Sequence, residues 1–269
     1  MYIIKIGGGA AINIDGIVSD LAALNEDKEN PKPFIIVHGA NALRDEIAQK
    51  LGMEKTILTS VSGYSSVFSD EDAIDAILMS YAGLRNKRIV ESCQKLGLNA
   101  IGLSGIDGQM IQGRRNKGIR VRENGKTLIK RDFSGKPAAI NEGLLNLLLD
   151  NGYNPVLCIP IVDENGFAIN SENDDIVTCL AGATEPECIL QFIEAPGFLD
   201  DPADEASLVK TMTGAELAAR EAQVEGRMKR KMLALTKLFE QGAGRVIIAD
   251  GRTEHPLHDA LNGSGTVIQ

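Results

Sequence analysis

The 269-residue sequence has no tryptophan, only 4% aromatic residues and three histidines. A core so poor in large rings has to be built from Ile, Leu, Val and Ala, which suits a parallel sheet covered by helices. Cysteine is scarce as well. Cys93, Cys158, Cys179 and Cys188 form no CxxC pair and sit among apolar neighbours, which excludes a disulfide or zinc framework and predicts buried reduced thiols. No apolar run reaches membrane-spanning length, and the chain opens on a strand rather than a basic-then-apolar leader, so a soluble, cytoplasmic protein with no membrane partner is expected. Positive charge is not in excess: the net charge of −9 argues against a nucleic-acid binder. The P-loop pattern GxxxxGK[ST] is absent, and no GxGxxG follows a strand, so neither of those nucleotide signatures applies.

What is present supports a substantial core, with 43% hydrophobic and 24% charged residues. The stretch around which the rest is organised is Tyr2-Ile3-Ile4-Lys5-Ile6-Gly7-Gly8-Gly9-Ala10. Ile3, Ile4 and Ile6 read as a buried parallel strand. Lysine is seldom buried without a partner. At the exit of a central strand Lys5 would project to where open α/β sheets bind ligands, and an ammonium beside free backbone N–H groups suits a phosphate. The alternative is an edge strand with a solvated lysine ahead of a tight turn. A second strand, Phe34–Val37, ends in His38-Gly39-Ala40-Asn41 and leads into a helix from Ala42 to Leu51. Two strand–glycine–helix turns could hold one polyphosphate from two sides. His38 reads as a packing or capping residue without a catalytic role.

Further along, Thr56 to Asp70 carries seven Ser or Thr residues and predicts an irregular hairpin. Asp70 to Lys95 predicts one long helix, capped by Ser69 or Asp70, with Ala73, Ile74, Ile77, Leu78 and Tyr81 as its apolar stripe. Residues 114–136 hold nine Lys or Arg against two acids. Within them Ile119–Glu123 and Thr127–Arg131 alternate about Asn124-Gly125, a hairpin signal. A basic hairpin on an acidic protein suits an acidic macromolecular partner; the alternative is a solvated hairpin whose charges protect an edge. Asn170-Ser171-Glu172-Asn173-Asp174-Asp175 gathers more acceptors at a helix entrance than capping needs. Cys188–Ile193 and Arg245–Ala249 read as strands. Gly226–Lys231 opens a helix with basic residues at its positive end, a local conflict that hints at an anionic ligand. Strands alternate with helices throughout. That predicts a doubly wound, mainly parallel α/β sheet with helices on both faces, in one bilobal domain over residues 1–269.

Lys5-Ile6-Gly7-Gly8-Gly9, His38-Gly39, Gly83–Arg88, Gly102–Gly108, the basic hairpin, Glu225–Lys231 and Asp250-Gly251-Arg252 occur in this order along nearly the whole chain. In them the sequence resembles the amino acid kinase family, in its acetylglutamate-kinase-like branch. Within that branch it is most similar to the LysZ group, which phosphorylates 2-aminoadipate linked through its amino group to a small acidic carrier protein, LysW.

The resemblance implies an ATP-dependent phosphotransferase with a carboxyl acceptor, acting in lysine or arginine biosynthesis, with Mg2+ held mainly by the nucleotide phosphates and no dedicated metal site. It implies Lys5 and Lys231 as contacts of the transferred phosphoryl group and Asp174 as the residue that orients both. Asn170, Gly39, Ala40, Asn41, Ser66 and Val67 fall at substrate-binding places. Gly7, Gly8, Gly9, Glu194, Gly197 and Lys229 fall at nucleotide-binding places. Arg114, Arg115, Lys117, Arg120, Arg122, Lys130 and Arg131 would meet the carrier. An N-lobe of about residues 1–165 would bind acceptor and carrier and dimerise, and a C-lobe of about 166–269 would bind nucleotide; a homodimer is expected. Three places depart from the pattern. Val67 stands where relatives carry a carboxylate-gripping arginine, Gly39-Ala40-Asn41 replaces a Gly-Gly-Gly or Gly-Gly-Ser turn, and Ile193–Gly197 replaces a Thr-Asp or Ser-Asn type turn. Two other readings stand beside the first: a kinase of free N-acetylglutamate, and a non-catalytic binder on the same fold.

Overall fold

The buried run Tyr2–Ile6 becomes the middle of an eight-stranded sheet in the computed structural model. The structure describes all residues except 28, 30, 55, 60, 62–64, 124–125, 222–225 and 241–243, and not the side chains of 59, 65, 66, 123, 221 and 226–231. Tyr2–Ile6 pairs in parallel with Phe34–His38 on one side and Cys188–Ile193 on the other. Outside Phe34–His38 lie Asn154–Cys158 and then Ala100–Ser104, both parallel. Outside Cys188–Ile193 comes Val246–Asp250, also parallel. Thr266–Ile268 then runs antiparallel, and Thr211–Met212 closes that edge.

The two-residue period of a strand sends neighbouring side chains to opposite faces. Ile3, Ile35, Val37, Leu157 and Ile189 join one core with Ile176, Val177 and Leu180 of the helix Asn173–Thr184. Tyr2, Ile4, Ile6, Ile36, Leu190 and Phe192 join a second core with residues of the helices Ile14–Leu24, Asn86–Lys95 and Pro256–Leu261. Helices therefore cover both faces, the arrangement that an aliphatic core without large rings can fill.

The predicted long helix forms, and Asp70 caps it, its Oδ1 accepting from the Ala73 N–H at 2.9 Å. It is not uniform. A π-helical segment, Leu78–Arg85, separates the α-helical Glu71–Ile77 and Asn86–Lys95. The apolar stripe gave no sign of this wider turn, which turns Tyr81 and Asn86 inward together.

Beside the main sheet stands a four-stranded sheet that the sequence pattern did not reveal. Ile111–Arg115 lies between Gly135–Ile140 and Ile161–Val162, and Ala168–Ile169 pairs outside the latter. The basic hairpin follows the first of these strands, as Ile119–Glu123 paired with Lys126–Lys130; its expected Asn124-Gly125 turn lies outside the described residues. The serine-rich segment forms a short hairpin, Ile57–Thr59 with Ser65–Val67. Its Val61 N–H donates to Arg120 O at 2.8 Å, joining the two hairpins. Among the described residues no helix is long and apolar enough to cross a membrane.

Candidate active site

Strand register carries Lys5 toward the carboxyl end of the central strand, on the face covered by Asn173–Thr184. Its ammonium lies 2.9 Å from Asp174 Oδ1, and the residue is 8% exposed. Asp174 sits in the first turn of that helix, where the positive end of the helix favours a carboxylate. A nearly buried lysine needs such a partner, because an unpaired ammonium out of water is costly. The bland alternative, a solvated lysine on an edge strand, does not occur: the strand is central and the lysine is buried.

The two glycine turns are stitched to each other beside this pair. The Gly7 N–H donates to Phe192 O at 2.9 Å, the Gly39 N–H to Ile6 O at 2.8 Å, and the Ala42 N–H to Gly8 O at 3.0 Å. A Cβ on Gly8 would stand 2.7 Å from Asn41 N and 2.9 Å from Ala40 N, closer than real Cβ contacts come, so only glycine fits. The amides of Gly7 and Gly39 thus belong to the fold's own bonding, whereas those of Gly8 and Gly9 have no internal partner among the described residues. Glu194 leans across from the end of Cys188–Ile193. Its Oε1 accepts from the Ala11 N–H at 2.7 Å, and a Cβ on Gly9 would meet its carboxylate at 2.1–2.2 Å. Gly197 packs against Thr266, which holds this turn through Phe198 N–H to Thr266 Oγ1 at 2.8 Å.

A third group of contacts surrounds Asn170. Its Nδ2 donates to Ser69 Oγ at 3.0 Å, its own N–H donates to Phe133 O at 2.7 Å, and its carbonyl accepts from the Gly135 N–H at 2.9 Å. Asp132, buried at the base of the basic hairpin, accepts from Ser69 N–H at 3.1 Å and Ser134 Oγ at 2.6 Å. The start of the long helix, the base of the hairpin and the turn ahead of Asp174 therefore meet at one place. Sequence reasoning missed Asp132, Ser69 and Ser134 in this role; the available signal was that Asp132 is one of two acids among nine cations. Close by, the buried Ser171 Oγ and Asn173 Oδ1 have no hydrogen-bond partner among the described residues. Orphaned buried polar atoms are rare and call for an explanation; a ligand site beside Asp174 is one. Val67 stands opposite Ile57 in the serine-rich hairpin.

Lys231 belongs to the helix Gly226–Glu240, which packs against the helix that carries Asp174. The side chains of Lys231, Lys229 and Ser66 lie outside the described residues. Of the basic set, Arg114, Lys117, Arg120, Arg122 and Arg131 are exposed and Lys130 is half-buried. Arg115 is turned to the fold: its Nε donates to Asp132 O at 2.8 Å and its guanidinium lies 4.0 Å from the Phe133 ring centroid. The thiols are all free, with Cys93, Cys158 and Cys188 buried. Burial pushes Cys93 and Cys158 up to about 12, far from reactivity.

Residues 1–250 match the Amino acid kinase family. The chain is 39% identical over 272 residues to the [LysW]-aminoadipate kinase of Thermus thermophilus, covering all of both chains. It is 38% identical over 269 residues to the [LysW]-aminoadipate kinase of Deinococcus radiodurans, covering all of this chain and 91% of the relative. Among solved structures it is similar to the N-acetylglutamate synthase of Neisseria gonorrhoeae complexed with coenzyme A and N-acetyl-glutamate, with a TM-score of 0.78 at 18% identity, over 99% of this chain and 58% of that one. That likeness is one of fold.

Proposed function

This chain belongs to the amino acid kinase family, and from that premise we propose that it phosphorylates the side-chain carboxylate of 2-aminoadipate carried on a small acidic carrier protein, using ATP. The observation that carries this reading is the buried Lys5–Asp174 pair at the mouth of two interlocked glycine turns. Relatives matched over 91–100% of their length and named as [LysW]-aminoadipate kinases support the acceptor and the carrier.

The chemistry suits such a site. A carboxylate is ionised at neutral pH and needs no general base. Its oxygen attacks the γ-phosphorus in line, the bond to the β,γ-bridging oxygen breaks, and ADP leaves while an acyl phosphate forms. Positioning and charge neutralisation do most of the work. Lys5 meets the terminal phosphate, Asp174 holds the ammonium in place, and Lys231 brings a second positive charge from the neighbouring helix. Gly8 and Gly9 have N–H groups that are unpaired among the described residues and can be offered to phosphate oxygens. Mg2+ would be ligated mainly by the nucleotide's phosphate oxygens and water, as its coordination preference allows. When bound with the nucleotide, the ion would supply neutralisation of the charge that develops on the phosphates.

The basic hairpin is the docking face for the carrier. Arg120 pairs across the ribbon with Ile129, and Arg122 with Thr127, so these four share one face. Both arginines are exposed, and Ile129 is 61% exposed, whereas Val121 on the other face is buried. Residues of about 1–165 serve the acceptor and carrier and, through Lys5 and the Gly7–Gly9 turn, the nucleotide's phosphates, and those of about 166–269 serve the rest of the nucleotide, in a cytoplasmic homodimer. A hydroxamate assay for acyl phosphate, run with carrier-linked aminoadipate, carrier-linked glutamate, free acetylaminoadipate and free acetylglutamate, tests the reading. Preference for the carrier-linked aminoadipate is expected; equal or faster turnover of the free acetyl compounds would overturn it.

A further inference from the structure

Tyr81 is 2% exposed, yet its hydroxyl reaches the surface of the second glycine turn and donates to the side-chain oxygen of Asn41. Burial pushes its phenol up to about 12, so it remains a donor at working pH. The ring is held from behind. His38, fully buried, lies nearly parallel to it, with centroids 6.4 Å apart at 24°. Asn86 Nδ2 lies 3.2 Å from His38 Nε2 and donates to Val156 O at 2.9 Å. An amide nitrogen can only donate, so Nε2 accepts and the His38 proton resides on Nδ1, which faces Gly39 O at 3.4 Å. A buried row thus runs from the Asn154–Cys158 strand through Asn86, His38 and Tyr81 to Asn41.

The π segment makes this row possible. Residues five apart on an α-helix are turned about 140° from one another. The i→i+5 bonding of a π-helix brings them near one face, and Tyr81 and Asn86, five apart across Leu78–Arg85, both point inward. The outcome falls on Asn41. Its oxygen is occupied, so its Nδ2 faces the other way and has no partner among the described residues. Its Cγ stands 3.2 Å from the place a Gly8 Cβ would take, between the two turns.

We propose that Asn41 Nδ2 is a fixed donor to the terminal phosphate of the nucleotide, and that Tyr81 is the positioning residue that keeps the amide, rather than the oxygen, aimed there. This rests on the kinase reading of the site. Without the phenol hydroxyl the carboxamide is free to flip and present its oxygen to a phosphate, which repels it.

The test is a double-mutant cycle on the full chain with Tyr81→Phe, which keeps the buried ring, and Asn41→Ala, at an exposed position. Calorimetric titration with a non-hydrolysable Mg-ATP analogue gives Kd, and steady-state assays give KM for ATP and for the carrier-linked acceptor. Each single change is expected to weaken nucleotide binding about 5–10-fold, as for one net hydrogen bond, with KM for the acceptor unchanged. In the Asn41→Ala background Tyr81→Phe is expected to cost nothing more. An unchanged Kd in either single variant, or an undiminished Tyr81→Phe effect without Asn41, overturns the proposal. Nucleotide binding and turnover by the wild-type protein separate that failure from failure of the kinase reading itself.

Discussion

Lysine at position 5 is held in the middle of the sheet by one carboxylate, at 2.9 Å. On the proposed role of Lys5 as a contact of the migrating phosphoryl group, Lys5→Ala is expected to lower turnover in the hydroxamate assay by about 10²–10³, with the circular-dichroism spectrum retained. Activity within a few-fold of wild type would remove Lys5 from the chemistry. His38 makes a different prediction. Burial drives its folded pKa down from 6.5 to about 3. Below pH 6.5 the unfolded chain takes up a proton that the folded chain refuses, so stability falls as pH drops through the window between 6.5 and 3. The slope from this one group approaches about 1.4 kcal/mol per pH unit. Denaturant melts between pH 7 and 5, where most carboxylates stay ionised, should show this loss, and His38→Asn should flatten it; an equally steep fall in the variant would assign it elsewhere.

At the scale of elements, the ribbon and the helices answer different questions. Reversing Arg120 and Arg122 to Glu is expected to raise KM for the carrier-linked acceptor more than 10-fold while leaving turnover of a free acceptor analogue and thermal stability alone; equal loss on both substrates would make the ribbon structural. Gly102→Ala tests the packing behind the long helix. A Cβ there would stand 1.9 Å from Asn86 Oδ1, and the overpacking is expected to cost about 1–3 kcal/mol in urea melts. Elements with a strong local signal could be read directly from sequence. The ribbon showed itself through alternation around Asn124-Gly125, and the Lys5 strand through a charge embedded in isoleucines. The four-stranded sheet escaped because two of its strands, Ile161–Val162 and Ala168–Ile169, are two residues long, too short for any period to register. The π segment escaped because Tyr81 fits the same apolar stripe in either helix. The Asn170 cluster escaped because its members, Ser69, Asp132 and Asn170, are brought together only by tertiary folding.

For the molecule as a whole, charge is divided: residues 114–136 are strongly basic in a protein of net charge −9. Docking of an acidic carrier on so uneven a surface is expected to slow steeply as salt rises from 50 to 300 mM, because the Debye length shrinks from about 14 Å to about 6 Å and screens the exposed charges of the ribbon. A stopped-flow association rate indifferent to salt would count against electrostatic docking. The sheet order has a consequence of another kind. Tyr2–Ile6 emerges from the ribosome well before Cys188–Ile193, the strand that must flank it. At ordinary translation speeds that flank arrives roughly 10–40 s later. Until then the nascent chain carries an isoleucine-rich strand with one side open, a template for pairing with a neighbour on the same polysome. Yield in a heterologous host should therefore depend on chaperones that shield the early chain more than on the stability of the finished enzyme.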